Sequence, residues 1–191
     1  MKYINLSKLI LLVTVLFSLQ SCEDKEKLFE ANSDSWVQMG DAKWKFSGDE
    51  IMATILRGSG FIMTKDVYKD FELELQFYPD ETINSGIFVR CAEKELSYTD
   101  CYEINIWDYH PDQKERTGAI VSRAAPLKNV QTINKWNTYK IQCKGNKIKA
   151  WINGDLTADI DNNGLIEGYI ALQAAGLGTV RFKNVTLLKA L

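Results

Sequence analysis

The 191-residue sequence lacks the marks of several large functional classes. No Cys-x-x-Cys pair occurs, which argues against a zinc ribbon. No glycine-rich loop precedes a helical segment, so a nucleotide-binding loop is not indicated. Serine, histidine and aspartate form no convincing triad. The apolar run Leu9–Leu19 is too short to cross a bilayer, and no other stretch is apolar and long enough to do so. Basic residues form no stripe, which argues against nucleic acid as a partner. Helical periodicity of any length is missing from the chain after that run.

The N-terminus reads as an address. Lys2 and Lys8 flank a short basic start, and Leu9–Leu19 is an apolar run within the ~7–15 residues of a signal-peptide core. It ends at Leu19-Gln20-Ser21-Cys22, which resembles the lipobox of bacterial lipoproteins, with Cys22 as the lipidated residue. The charged run Glu23-Asp24-Lys25-Glu26-Lys27 reads as a solvated tether and is similar to the acidic sequence after the cysteine of surface-exposed Bacteroidetes lipoproteins. The expected division is a signal peptide at 1–21, a tether at 22–35 and one domain at 36–191. The expected place is the cell envelope, anchored by lipid in the outer membrane, with no other membrane contact. Cleavage after Ser21 leaves 170 residues with 21 basic and 25 acidic side chains, a formal charge of −4. That length can bury a real core.

Cys91, Cys101 and Cys143 are an odd number, so they cannot all pair internally. Cys91 and Cys101 flank the segment 92–100 and can bridge two strands if the register allows. Cys143 reads as a buried thiol.

Short alternation recurs along the chain. Phe71-Glu72-Leu73-Glu74-Leu75-Gln76-Phe77 is its clearest instance. Trp44–Phe46, Ile51–Leu56, Phe61–Thr64, Trp136–Cys143, Lys147–Ile152, Leu156–Ile160, Gly168–Ala174 and Val180–Leu188 read as further strands. Gly145-Asn146 and Asn153-Gly154 are favoured hairpin turns. Many short strands with glycine and asparagine turns predict an all-β sandwich or barrel. The segment Tyr109–Gly118 breaks the rhythm, and long loops in compact domains are often functional.

Two strand-like segments carry polar clusters. In Asn84-Ser85-Gly86-Ile87-Phe88-Val89-Arg90, period-two alternation places Asn84, Phe88 and Arg90 on one face. In Tyr102-Glu103-Ile104-Asn105-Ile106-Trp107-Asp108-Tyr109-His110, it places Glu103, Asn105 and Trp107 on one face. An acid, a base, amides and an indole on neighbouring strands are costly in a plain core and suit the floor of a sugar cleft. A cross-strand ion pair between Arg90 and Glu103 is the plain structural alternative.

These segments also resemble the 3-keto-disaccharide hydrolase family, also described as 3-keto-α-glucoside 1,2-lyase / 3-keto-2-hydroxy-glucal hydratase. The pieces are Tyr68-Lys69-Asp70-Phe71-Glu72-Leu73, Asn84-Ser85-Gly86-Ile87 with Arg90, Tyr102-Glu103 through Trp107-Asp108 with His110, and Thr117-Gly118-Ala119-Ile120. Trp136-Asn137, Asn153-Gly154, Gly168 to Gln173 and Val180 to Val185 follow in the same order. The resemblance implies a concanavalin-like jelly roll, a β-sandwich of two antiparallel sheets.

It also implies cleavage of 3-keto-glucosides by elimination and hydration. Glu103 or His110 is then the base, and Arg90 or a divalent metal at Asp108 and His110 stabilises the enolate. Asn84, Gln173 and Trp107 hold the sugar. The implied partners are an oxidised glycoside and a sugar oxidoreductase that makes the ketone. Two departures stand out: Ala174-Ala175 follow Gln173 where many members have His-Gly, and Val121 replaces an aromatic residue after Ile120. They keep open an alternative, a non-catalytic carbohydrate-binding lipoprotein of the same fold.

Overall fold

The computed structural model describes residues 25–97 and 99–189. Leu9–Leu19 and Cys22 lie outside the described residues. The elements are β1 (Glu26–Lys27), β2 (Trp36–Gly40), β3 (Lys43–Ser47), β4 (Glu50–Ile55), β5 (Ser59–Thr64), β6 (Phe71–Pro79) and β7 (Ile83–Cys91). They continue with β8 (Tyr102–Ile106), β9 (Asn137–Lys144), β10 (Lys147–Ile152), β11 (Asp155–Asp161), β12 (Tyr169–Gly176) and β13 (Gly178–Lys189). No helix occurs among the described residues.

The strands form two antiparallel sheets, the jelly-roll sandwich expected. The large sheet runs β11-β10-β9-β6-β13-β4-β3, with β1 on β13, and the small sheet runs β2-β5-β12-β7-β8. Alternation explains the layers. Phe71, Leu73, Leu75 and Phe77 of β6 are buried, while Glu72, Glu74 and Gln76 point out. Ile62, Ile87, Val89, Ile104, Ile106, Ile170 and Leu172 bring the small sheet's inner face into the same core. Sandwiching two such faces removes both from water, the main source of stability in this architecture. The Tyr139 hydroxyl crosses that core and donates to the Asn105 carbonyl at 3.1 Å, tying β9 to β8.

The fold begins earlier than Trp36. Glu26 and Lys27 pair with Leu187 and Thr186, and Leu28 and Phe29 are buried. The charged run therefore ends in a strand anchored by two apolar residues, and the expected tether over 22–35 is corrected from Glu26 onward.

Arg90 does not share the face of Asn84 and Phe88. β12 advances two residues from Tyr169 to Ala171 while β7 advances three from Cys91 to Phe88, and Arg90 has φ 55°. That is a β-bulge, and its left-handed residue breaks the alternation. Arg90 is fully buried, donating to Lys69 O (3.0 Å) and Leu165 O (3.3 Å), with Asp70 Oδ1 at 3.5 Å. It pins two loops, and the Arg90–Glu103 ion pair is not formed.

Arg90→Ala strands the two carbonyls in a dry site. We expect a loss of about 3 kcal/mol in stability, measured by urea unfolding at pH 7. A loss well below ~1 kcal/mol, the worth of one ordinary hydrogen bond, would show that the guanidinium does not hold these loops.

Candidate functional site

The outer face of the small sheet carries the polar cluster. Its register aligns Asn105, Gly86, Gln173, Phe61 and Met39 in one row across five strands. The neighbouring row is Glu103, Phe88, Ala171, Met63 and Val37. Asn84 stands opposite Ala175, beyond the first row. One end of the face is therefore polar and the other apolar.

Glu103 does not stand upright in its own row. A Cβ at Gly86 would lie 2.9 Å from Glu103 Oε1, 3.1 Å from its Cγ and 3.4 Å from Phe88 Cε2. The missing side chain at Gly86 lets the Glu103 side chain lie across β7, between Asn105 on one side and Gln173 on the other. A glycine inside a strand is the usual mark of such a close approach.

The Glu103 carboxylate accepts no hydrogen bond among the described residues. Burial, and secondarily the Glu115 carboxylate, push its pKa up to about 7. Asn84 Oδ1, Asn105 Oδ1 and Gln173 Oε1 are buried and also without a partner among the described residues. A buried acceptor left unpaired costs about 1–3 kcal/mol, so three together call for donors from outside the fold.

The edge of the small sheet is closed by the Thr117-Gly118-Ala119-Ile120 segment. Asn105 N donates to Ala119 O (3.0 Å), Gly118 N to Asn105 O (3.1 Å) and Val121 N to Glu103 O (3.0 Å). Asn105 Nδ2 donates to the Glu115 carbonyl, and the Glu115 carboxylate accepts from Ser122 N at 3.0 Å. These bonds hold Glu115 where its charge reaches Glu103. At the other end, the Cys91–Cys101 disulfide forms as the flanking positions allowed. It closes a loop whose Leu96 packs with Met63, Phe88 and Ala171. Cys143 is a buried free thiol, also as expected.

The remaining candidates lie apart from this floor. Trp107 and His110 pack edge to face, ring centroids 4.5 Å apart, in the loop after β8. His110 Nδ1 lies 2.8 Å from Asp112 O and 3.1 Å from Asp112 N. Asp108 is buried, accepting from Thr132 N (2.7 Å) and Thr132 Oγ1 (2.8 Å), with Arg116 Nη2 3.9 Å away. Both oxygens are thus committed to fastening the loop, beside a cation. Asp108 and His110 do not fit a divalent ion, and among the described residues no group of three His, Cys, Asp or Glu could hold one.

Cavities of about 420 Å3 beside Trp151 and about 390 Å3 beside Leu28 and Phe29 lie on the large-sheet side. Neither gathers unpaired buried acceptors, so the small-sheet floor is the better candidate. Sequence reasoning placed Asn105 on Glu103's face but gave it no role. It also gave none to Gly86, whose position inside a strand was the available signal, or to Glu115, for which periodicity offers none.

Two outcomes follow. Glu103 binds its proton more tightly folded than unfolded, so stability falls as pH rises from about 4.5 to about 7 and is level above. Wild type should lose up to about 3 kcal/mol over that window in denaturant titrations, and Glu103→Gln should remove this loss. Gly86→Ala should push the carboxyl toward water and lower its NMR titration midpoint from about 7. An unchanged midpoint would show that the gap at Gly86 does not set Glu103's burial.

Solved structures share the fold. A Parabacteroides distasonis protein named "Putative glycosyl hydrolase" is 24% identical, with TM-score 0.75, covering 87% of this chain and all of its own. A Bacillus subtilis carbohydrate-binding module is 19% identical, with TM-score 0.61, over 84% of this chain and 99% of its own. A Bacillus licheniformis β-glucanase is 14% identical, with TM-score 0.62, over 88% and 98%. No curated protein sequence matches the chain. The match over residues 24–188, spanning both sheets and every residue of the polar floor, shows that the chain belongs to the 3-keto-alpha-glucoside-1,2-lyase-like domain family.

Proposed function

We propose that this protein, a member of a carbohydrate-related family, cleaves the glycosidic bond of 3-keto-glucosides by elimination and hydration, with Glu103 as the base. The observation that carries the reading is the Glu103 carboxyl over Gly86, with a pKa near 7 and three unpaired amide oxygens around it. Sugar hydroxyls are the donors those oxygens lack.

A ketone at C3 acidifies the proton on C2. The Glu103 carboxylate takes that proton, and the electron pair moves toward the C3 oxygen. Amide N–H groups of Asn84 and Gln173 are the donors at hand for the developing enolate, since Arg90 is turned away. Return of the electron pair forms C1=C2 and breaks the C1–O bond, and the leaving oxygen takes a proton from Glu103 or water. Water then adds at C1 and a proton returns to C2, giving the free 3-keto sugar. A base with pKa near the working pH serves both proton steps. The Glu115 charge supports this by raising Glu103's basicity. Trp107 and His110, packed on each other in the loop after β8, take no part in these steps, and no step is routed through a metal.

The ketone requires a partner sugar oxidoreductase. We place the protein in the cell envelope, held in the outer membrane by lipid on Cys22. A second reading, a non-catalytic carbohydrate binder, is favoured by Ala174 and Ala175, both buried where many relatives have His-Gly.

One assay separates them. The purified full chain is given 3-keto-glucosides and their unoxidised parents, and released 3-keto sugar and glucal are followed. Release from the keto substrates alone is expected, with a rate that rises with pH through about 7 because the base must be deprotonated. Glu103→Gln should lower turnover by about 10²–10⁴-fold and keep the fold. Full activity of that variant would remove Glu103 from the mechanism, and saturable glycan binding without release would establish the binder.

A further inference from the structure

The large sheet's outer face has an unusual charge balance for this acidic chain. Lys27, Lys144 and Lys183 point outward from β1, β9 and β13 and make no ion pair among the described residues. The carboxylates among them are already taken: Glu72 by Lys140, Glu74 by Lys25, Glu50, opposite Lys183, by Arg181, and Asp159 and Asp161 by Lys147, with Lys149 also on Asp159. The face thus presents surplus positive charge spread along it, although the chain after Ser21 carries −4.

Indoles lie among these cations. Lys183 Nζ lies 4.1 Å from the Trp136 ring centroid, and Lys140 Nζ 5.7 Å from that of half-buried Trp151. A groove of about 420 Å3 opens beside Trp151, Lys140 and Glu74. Indoles with lysines beside them are the side chains that settle at a membrane–water boundary.

The chain enters the fold on this same face. Lys25 reaches outward to Glu74 at the middle of the sheet. Only Glu23 and Asp24 separate it from Cys22, so three peptide steps, about 10 Å at full extension, are all the reach an anchor at Cys22 leaves.

We propose that the outer face of the large sheet docks on the anionic phospholipid headgroups of the membrane holding the chain, so that the small-sheet site faces away from the bilayer. This rests on the lipid-anchor reading above. Surplus lysines meet headgroup phosphates, the indoles sit at headgroup depth, and the short tether holds the two surfaces together. The polar floor around Glu103 lies on the opposite side of the sandwich, open to arriving solutes. A lysine near an anionic surface gains roughly the energy of a fivefold preference, enough to fix orientation once the anchor removes the cost of encounter.

The test uses the full chain, produced with its own leader in a bacterium and reconstituted into phosphatidylglycerol or phosphatidylcholine vesicles. Lysine acetylation is read by peptide mass spectrometry. Lys27, Lys144 and Lys183 should react about fivefold more slowly in phosphatidylglycerol than in phosphatidylcholine. Lys94, in the disulfide loop beside the small sheet, should be unchanged. The double variant Lys27→Glu, Lys144→Glu should abolish the protection of Lys183 while the chain stays vesicle-bound. Equal reactivity in both lipids, or protection of Lys94 instead, would overturn the docking. Intact mass separates the two failures. An acylated Cys22 with an unprotected face sinks the docking alone, and an unacylated chain free of the vesicles sinks the anchor and the docking with it.

Discussion

A carboxyl group laid across a glycine on the neighbouring strand is the constraint around which the small sheet is organised. Gly86 leaves the gap, and Glu103 fills it. Everything near that contact keeps the carboxyl in place and short of water. Phe88 packs beside it, the disulfide loop brings Leu96 onto the adjoining apolar row, and the 117–121 segment closes the edge strand on its other flank. Tyr139 reaches through the core to hold the Asn105 carbonyl. Removing the glycine's gap would return the acid to solvent and leave an ordinary sandwich face.

The sandwich itself was legible because period-two alternation is a local property. Phe71 to Phe77 reads as a strand with one buried face wherever it is placed, and the hairpin turns at Gly145-Asn146 and Asn153-Gly154 fix register nearby. Asn84 and Glu103 were legible for the same reason, since each obeys the alternation of its strand, whereas Gln173 entered through the family resemblance. Arg90 was not. One extra residue in β7 against β12 reverses the side of everything at the bulge, and no glycine marks its positive φ. Asp108 lies just past the end of β8, where alternation stops and its direction depends on Thr132, 24 residues away. Glu115 was invisible because its approach to Glu103 depends on how the loop returns along the β8 edge. The tether was misread at Glu26 because charge dominates the run, whereas the burial of Leu28 and Phe29 decides its fate.

The structure also separates two kinds of buried polar group. Arg90 spends its two terminal nitrogens on carbonyls of two loops, although its Nε has no partner among the described residues, and Asp108 fastens one loop to another. Asn84, Asn105 and Gln173 have oxygens with no partner, on the face turned away from the core. Satisfied groups need nothing from outside, while unsatisfied ones are stable in number only where something else completes them. Three such oxygens gathered on one sheet face, rather than cavity size, mark the candidate site.

It also bears on whether the floor catalyses or merely binds. A binder that only needs an acceptor at position 103 would do better with glutamine, which carries the same oxygen and no charge to desolvate. Glutamate there destabilises the fold at neutral pH, because burial and Glu115 oppose its ionisation. Near pH 7 the group is shared between protonated and ionised forms, the condition in which it can both take and return a proton. A side chain that costs stability in the pH range where it can move protons is accounted for by chemistry more readily than by recognition. Ala174 and Ala175 after Gln173 leave the Glu103 carboxyl, the gap it fills at Gly86 and its raised pKa in place.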